Sequence, residues 1–389
     1  PPFLSQGLNM LDLSRRTAFT PEHDQFRDSV RRFFDRELLP HLTRWEEEGI
    51  IDRAFWNKAG EAGLLCPTVP EEYGGPGLDF GFNAVIDEEL AYAGSTAGIT
   101  LHSDIVADYL VAYGSEEQKK HWLPRMVSGE TATAIAMTEP GAGSDLQGIR
   151  TSAKRDGNHY VLNGSKTYIT NGQHADLVIV VAKTDPAAGA KGVSLILVEA
   201  DREGYARGRN LDKIGFHSQD TSELFFNDVR VPITNCLGEE GSGFAYLMNQ
   251  LPQERLSIAC AAQAAAQRAF DEAVKFTKER KAFGKTIFDF QNTKFTLADL
   301  AAKLQVGWAH LDWAIARHIA GELDAAEASA AKLWHTELQW EACDASLQLH
   351  GGAGYMNEYL IARLWRDARV TRIFGGTNEI MKEVVSRSI

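Results

Sequence analysis

The sequence predicts an α+β fold in three parts: an N-terminal helical domain over residues 1–130, a middle antiparallel β domain over 131–240 and a C-terminal helical bundle over 241–389. Three textures predict it. Apolar residues recur at helical spacing as far as about Gly129. Short β-rich runs broken by Gly, Asp and Pro follow, and long Ala-rich helical runs fill the rest. A chain of 389 residues is also too long for one small domain.

The first part opens on "TPEHDQFRDSVRRFFDRELLP", with Thr20 as N-cap, Pro21 in the first turn and Glu22 after it. "PEEYGGPGLDFG" is a turn-rich loop before the helix "NAVIDEELAYAG". A further helix starts on Ser115, a good cap, with acids in its first turn. In the second part "HYVLNGSKTYITNG" alternates and holds Asn-Gly pairs, a strong short-range hairpin signal. "ADLVIVVAKT", "GVSLILVEA" and "SELFFNDVRVP" read as strands of an antiparallel sheet or small barrel. The third part begins with one very long helix around "QLPQERLSIACAAQAAAQ", in which Pro252 is a candidate kink. Two more long helical runs end in Gly, and their short connections predict an antiparallel bundle.

Charge and cysteine usage narrow the function. A net charge of −13 argues against a general nucleic-acid binder, which needs a basic face, but leaves room for a local anion site. No run of about 18 apolar residues suggests a transmembrane helix. The start, "PPFLSQGLNMLDLSRR", lacks the layout of a secretory signal. Cys66, Cys236, Cys260 and Cys343 are scattered without a CxxC pair, which points to a reducing compartment and to neither a zinc site nor a disulfide framework.

Several familiar signatures fail. "FGKT" at 283–286 imitates the end of a P-loop, but Glu279 stands where its first glycine belongs. No GxGxxG follows a strand, and "HGGAG" at 350–354 has no GxSxG nucleophile to serve. His310 and His318 have no carboxylate frame and are read as packing or surface residues, so no metal site is expected. Four other stretches carry more: "AIAMTEPGAGSDLQG" at 134–148, "KTYITNG" at 166–172, "ERKAFGKTIFDFQ" at 279–291 and "QLHGGAGY" at 348–355. The first puts a Pro-Gly-Ala-Gly-Ser-Asp loop at a strand end, where free amides and hydroxyls suit a polar ring edge or a diphosphate; an ordinary Pro-Gly turn is the bland alternative.

In family order and spacing these stretches, together with "GGTNEIMKEVVSRSI", resemble the acyl-CoA dehydrogenases, over essentially the whole chain. The resemblance implies bound FAD, a C-terminal four-helix domain, and oxidation of acyl-CoA thioesters to trans-2-enoyl-CoA with β-hydride transfer to flavin N5. It places Ile135, Ala136, Met137, Thr138, Gly143 and Ser144 along the flavin, with Ser144 also toward substrate. Tyr168, Ile169 and Thr170 lie beside the isoalloxazine; most relatives carry Trp at the position of Tyr168. Arg280, Phe283 and Gln291 hold the diphosphate and adenine of a neighbouring subunit's FAD, an arginine being suited to bidentate phosphate pairing. Gln348, Gly351 and Gly352 adjoin that contact, and Thr377 and Glu379 belong to a helix N-terminus facing the cofactor.

In most of the family a Glu precedes the Gly-Thr of the last motif and removes the α-proton. Here that position is Gly375. Glu254 in "QLPQERLSIA" stands where the long-chain and isovaleryl branches place their base, and the chain is most like the long-chain type. Most helix Glu residues merely pair with a neighbouring Arg or Lys, but the loss at 375 and the gain at 254 occur together. Arg255, Gly375 and Gly376 are assigned to substrate, with the Gly375 N–H donating to the thioester oxygen. "YAGSTAGITLHSDIV", rich in small residues, is expected to floor a deep or branched-chain-tolerant acyl pocket. An electron-transferring flavoprotein as acceptor and a homotetramer are implied, with a cytoplasmic location in a bacterium or the mitochondrial matrix in a eukaryote. The rival readings are a short branched-chain acyl-CoA dehydrogenase and a catalytically silent acyl-CoA- or partner-binding scaffold.

Overall fold

The structure, a computed structural model, describes residues 16–389; the reading of the first residues as lacking a secretory signal falls outside them. The N-terminal part holds α1 (Pro21–Glu37), α2 (Leu42–Glu48), α3 (Arg53–Glu61), α4 (Phe80–Tyr92), α5 (Ala107–Tyr113) and α6 (Glu116–Val127). The caps expected from sequence form. The Thr20 N–H donates to His23 Nδ1 at 3.0 Å, and Ser115 and Gln118 exchange backbone and side-chain bonds at the start of α6. A π-helical stretch, Leu101–Val106, runs directly into α5. Such stretches are rare and cluster at functional sites.

Helix α4 is buried almost all round, so its acids need partners. Glu88 pairs with Arg16 at 2.9 Å and Arg27 at 2.7 Å, and Glu89 pairs with Arg27 and Arg31.

The middle part is one sheet of β1 (Thr133–Ala136), β2 (Ser152–Asp156), β3 (His159–Thr170), β4 (Leu177–Lys183), β5 (Val193–Glu199), β6 (Tyr205–Asn210) and β7 (Thr221–Pro232), in the order β1-β4-β2-β3-β7-β6, with β5 also on β4. The antiparallel expectation holds for most pairings, but β1 pairs parallel with β4, and β2 meets β4 in parallel at Ser152–Lys183. The chain leaves β1 through the 138–151 loop and returns by way of the β2–β3 hairpin. It therefore enters β4 in the direction of β1, a crossover that short-range turn signals do not encode.

The Asn-Gly signals are corrected too. The β2–β3 hairpin turns between Asp156 and His159, whereas Asn163-Gly164 lies inside β3 at a break in its register with β7. A Cβ on Gly164 would come within 2.5 Å of the Thr151 hydroxyl, so the glycine is there for close approach. Strand β4 is buried on both faces. Leu177, Ile179 and Val181 pack on the helical domain, and Val178, Val180 and Ala182 pack into the sheet's own core.

The C-terminal part comprises α7 (Gly243–Glu279), the two-residue strands β8 (Lys281–Ala282) and β9 (Lys285–Thr286), α8 (Gln291–Ile319), α9 (Ala325–His350), α10 (Leu360–Ala368) and α11 (Asn378–Ser386). Three long helices, as the sequence predicts, and two short ones make up this helical domain. Helix α7 continues through Pro252 without a break in its helical assignment. It runs between α4 on one side and α8 and α9 on the other, and its alanines, among them Ala259, Ala264 and Ala266, let these helices approach. The four cysteines are free.

Candidate active site

The middle of α7 carries Glu254, Arg255 and Ile258 within one turn. Glu254 is half-buried, and its Oε2 is buried with no hydrogen-bond partner among the described residues. Burial pushes this carboxyl up to about 7, with the neighbouring Arg255 acting in the opposite direction. Arg255 is buried; its Nη1 donates to Ser329 Oγ at 2.9 Å, while its Nε lacks a partner among the described residues. The Tyr109 hydroxyl on α5 is also buried and unpartnered. Burial first, and then the Glu254 charge, push it well above its ordinary value.

The Gly375–Gly376 turn packs on this same face. Both glycines have positive φ, +64° and +88°, a conformation that L side chains rarely adopt. A Cβ on Gly375 would stand 2.4 Å from Ile258 Cδ1, and one on Gly376 would lie 3.8 Å from Arg255 Nη2. The two positions picked out from sequence, 254 and 375, therefore converge on one surface. A side chain at 375 would therefore have to move the Ile258 tip. Below the turn, Lys332 Nζ donates to the Gly376 carbonyl at 2.8 Å and to Asn378 Oδ1 at 3.0 Å. Sequence reasoning passed over Lys332. Its one signal was a lysine on the same helical face as Ala328, Ser329, Ala331, His335 and Thr336, all of them buried. Thr377 caps α11, its hydroxyl accepting from the Ile380 N–H at 3.3 Å. Glu379 is exposed in the first turn of α11.

A second group lies on the sheet. Alternation along β1 separates the predicted quartet: Ile135 packs against the helical domain, Ala136 enters the sheet core, and Met137 and Thr138 are half-buried. The Thr138 hydroxyl donates to the Thr167 carbonyl, and the Thr167 N–H returns a bond to the Thr138 carbonyl at 3.0 Å. A second break in the β3–β7 register, between Lys166 and Ile169, turns Tyr168 outward at φ +60° and 71% exposure. Ile169 points into the sheet core, so only its backbone can serve a ligand beside Tyr168; Thr170 is half-buried.

Two residues of this region were missed by sequence reasoning, although both lie in motifs it quoted. Glu139 accepts from the Arg150 and Thr151 amides at 2.6 and 2.9 Å and pairs with the fully buried Lys166 at 2.9 Å. Lys166 also donates to the Met137 carbonyl at 2.8 Å. Together they tie down both ends of the loop that presents Gly143 and Ser144, which are exposed.

A third group stands apart. The β8–β9 hairpin turns on Phe283 and Gly284, both at positive φ, as a type I′ turn requires, and lifts the Phe283 ring to 94% exposure. Arg280 and Gln291 are exposed, and no hydrogen bond or ion pair engages either side chain among the described residues. Gln348 lines a groove of about 460 Å³ with Asn292, Thr296 and Trp340. Gly351 and Gly352 follow it, and a Cβ on either would meet nothing within 4 Å. Among the described residues no hydrogen bond or ion pair joins Arg280, Phe283 or Gln291 to residues 135–144 or 168–170.

No group of His, Cys, Asp or Glu placed to hold a metal ion occurs among the described residues, and no helix there is long and apolar enough to cross a membrane.

Comparison with known proteins agrees across the chain. Residues 20–130, 134–229 and 241–389 match, respectively, the N-terminal, middle and C-terminal domains described for acyl-CoA dehydrogenase. The long-chain specific acyl-CoA dehydrogenase, mitochondrial, of Sus scrofa is 51% identical over 383 residues, covering 98% of this chain and 89% of that protein. Among solved structures, an acyl-CoA dehydrogenase from Geobacillus kaustophilus matches with a TM-score of 0.94 and 51% identity, over 95% of this chain and 98% of that one. A glutaryl-CoA dehydrogenase from Mycobacterium smegmatis, in complex with FADH2, matches at 0.91 and 27% identity, over 98% of this chain and 97% of that one.

Proposed function

The chain belongs to the acyl-CoA dehydrogenase family, and from that premise we propose that it is a long-chain-type enzyme in which Glu254 removes the α-proton of an acyl-CoA thioester. It is an FAD-dependent oxidoreductase that forms the trans-2-enoyl-CoA. The free surfaces suit that cofactor: the exposed Tyr168 ring for stacking, open glycine faces at Gly143, Gly351 and Gly352, and the unpaired Arg280 guanidinium for a diphosphate. Thr138, Ser144 and Thr170 offer polar groups along the ring, and Phe283, Gln291 and Gln348 offer contacts to the adenine end. FAD, when bound, supplies the acceptor for the β-hydride.

What carries the reading is the buried, unpartnered Glu254 Oε2 on the turn of α7 that faces Gly375. A carboxyl pushed up to about 7 by burial is a stronger base than an ordinary one and suits taking a weakly acidic α-proton. The α-C–H bond breaks, a Glu254 O–H bond forms, and the electron pair moves toward the thioester oxygen. Amides of the Gly375–Gly376 turn and the Arg255 guanidinium suit charge developing there. Glu254→Gln should bind acyl-CoA yet fail to bleach the flavin anaerobically. Full bleaching by this variant would remove Glu254 from the role, and a sharp rate optimum at butyryl-CoA in a chain-length series would remove the long-chain assignment.

The exposure of Arg280, Phe283 and Gln291, with no hydrogen bond or ion pair to the flavin-facing strands among the described residues, supports their serving the FAD of a second copy within a homotetramer. An electron-transferring flavoprotein is the proposed acceptor. The mitochondrial matrix is the proposed location if the source is a eukaryote, in keeping with the word mitochondrial in the Sus scrofa relative's name, and the cytoplasm if it is a bacterium.

A further inference from the structure

A buried cation sits beneath the Gly375–Gly376 turn with no acid to neutralise it. Lys332 on α9 is fully buried, and its ammonium is spent on the Gly376 carbonyl and Asn378 Oδ1. No carboxylate lies within ion-pair distance of it among the described residues. The charged groups facing it are Arg255 from α7, Glu337 from its own helix and Glu379 from α11. Glu337 is already bound by Arg372 at 3.0 Å and by Asn378 Nδ2 at 2.8 Å, and Glu379 is exposed. Burying an ammonium without a counter-ion is costly, and a hydrophobic residue would fill the same space more cheaply. The charge lies directly beneath the turn whose amides the proposed reaction uses.

We infer that Lys332 is a positioning residue for proton abstraction: by gripping the Gly376 carbonyl it fixes the positive-φ turn against Ile258, and with Arg255 it supplies the field that favours an enolate once Glu254 has taken the α-proton. The inference rests on the dehydrogenase reading of the site. The turn is held at three points, by Ile258 under Gly375, Met381 under Gly376, and Lys332 on the Gly376 carbonyl. The ammonium and the Arg255 guanidinium are both preset and dry, so they need not reorganise when charge moves. Burial first, then Arg255, holds the ammonium down to about 8, so its charge is present at neutral pH and lost as pH rises through that value.

A 3-oxoacyl-CoA tests this on the flavin-loaded protein without turnover, because its α-proton is acidic and its enolate absorbs in the ultraviolet. Lys332→Met should raise the pKa of the bound ligand by about one unit, a tenfold loss of enolate, while the affinity for a saturated acyl-CoA changes by less than about threefold. Lys332→Arg, which keeps its charge at every pH used, should restore the bound enolate. An unchanged ligand pKa in Lys332→Met overturns the inference. Should Lys332→Met not fold, the alkaline limb of kcat decides. It is expected near pH 8 in the wild type and absent in Lys332→Arg; the same limb in both overturns the role. A wild-type protein that binds neither thioester overturns the dehydrogenase reading as well, whereas normal wild-type binding with an indifferent Lys332 overturns only the role of Lys332.

Discussion

Gly375 faces Ile258 one turn beyond Glu254 on the same helix, so close that a Cβ on the glycine would stand 2.4 Å from Ile258 Cδ1. A side chain at 375 would have to displace the Ile258 tip, whereas α7 carries Glu254 one turn away. Gly375→Glu should meet two obstacles: positive φ, costing about 1–3 kcal/mol, and the isoleucine tip. Thermal melting should fall by several degrees, and Glu254→Gln/Gly375→Glu should stay inactive. Adding Ile258→Val deletes Cδ1 and should let measurable turnover return. Activity in the double variant without that third change would show that the fit is loose.

Glu254→Gln should lower kcat by about 10²–10⁴-fold. Its stability should respond with the opposite pH sense to activity. The folded protein holds this proton more tightly than the unfolded chain, whose carboxyl titrates near 4.5. The group's stabilising contribution is complete below that pH and is lost as pH rises through about 7. Denaturant melts of Glu254→Gln should therefore decline less over this range than those of the wild type. In the wild type kcat/KM should rise through the same range, since the base works deprotonated.

Asp87 on α4 and Asp104 in the π-helical stretch share a buried site beside the turn of α7 that carries Glu254. Asn83 Nδ2 at 2.6 Å and Ser257 Oγ at 2.8 Å donate to the Asp104 carboxylate, and Gln253 Nε2 donates to its carbonyl. Asp87 has no such donors for Oδ2; burial and then the Asp104 charge push it well above the ordinary range, so it carries the proton. Asp87→Asn reproduces that protonated form. It should match the wild type only below about pH 3.8, where both states are protonated, and exceed it increasingly as pH rises toward 9, read from melting temperatures across the range. A fall in stability at alkaline pH would show that Asp87 works ionised.

Lys166→Met should cost about 3–5 kcal/mol, because Glu139 would be left buried and unpaired while still holding the Arg150 and Thr151 amides. The loop carrying Gly143 and Ser144 should loosen with it. Denaturant melts measure the first effect, and the flavin content of the purified protein the second. A stable, fully yellow Lys166→Met would show that the pair is dispensable.

What the sequence determined by itself was local or carried by family motifs. The caps at Thr20 and Ser115, the long helices and the strand-rich middle follow from spacing and turn chemistry within a few residues. The exchange of Glu between 375 and 254 was visible because both motifs are contiguous. The tertiary structure alone decided how distant segments meet. Asn163-Gly164 became a bulge because β7 pairs along β3 there. The Lys166–Ile169 register break sent Tyr168 outward and Ile169 inward. Glu139, Lys166 and Lys332 have no contiguous motif, since a buried charge declares itself only by what surrounds it. The same holds for Ile258, an unremarked residue of an apolar helix face. Packing against a turn from the far end of the chain sets its tip against position 375, one helical turn from Glu254.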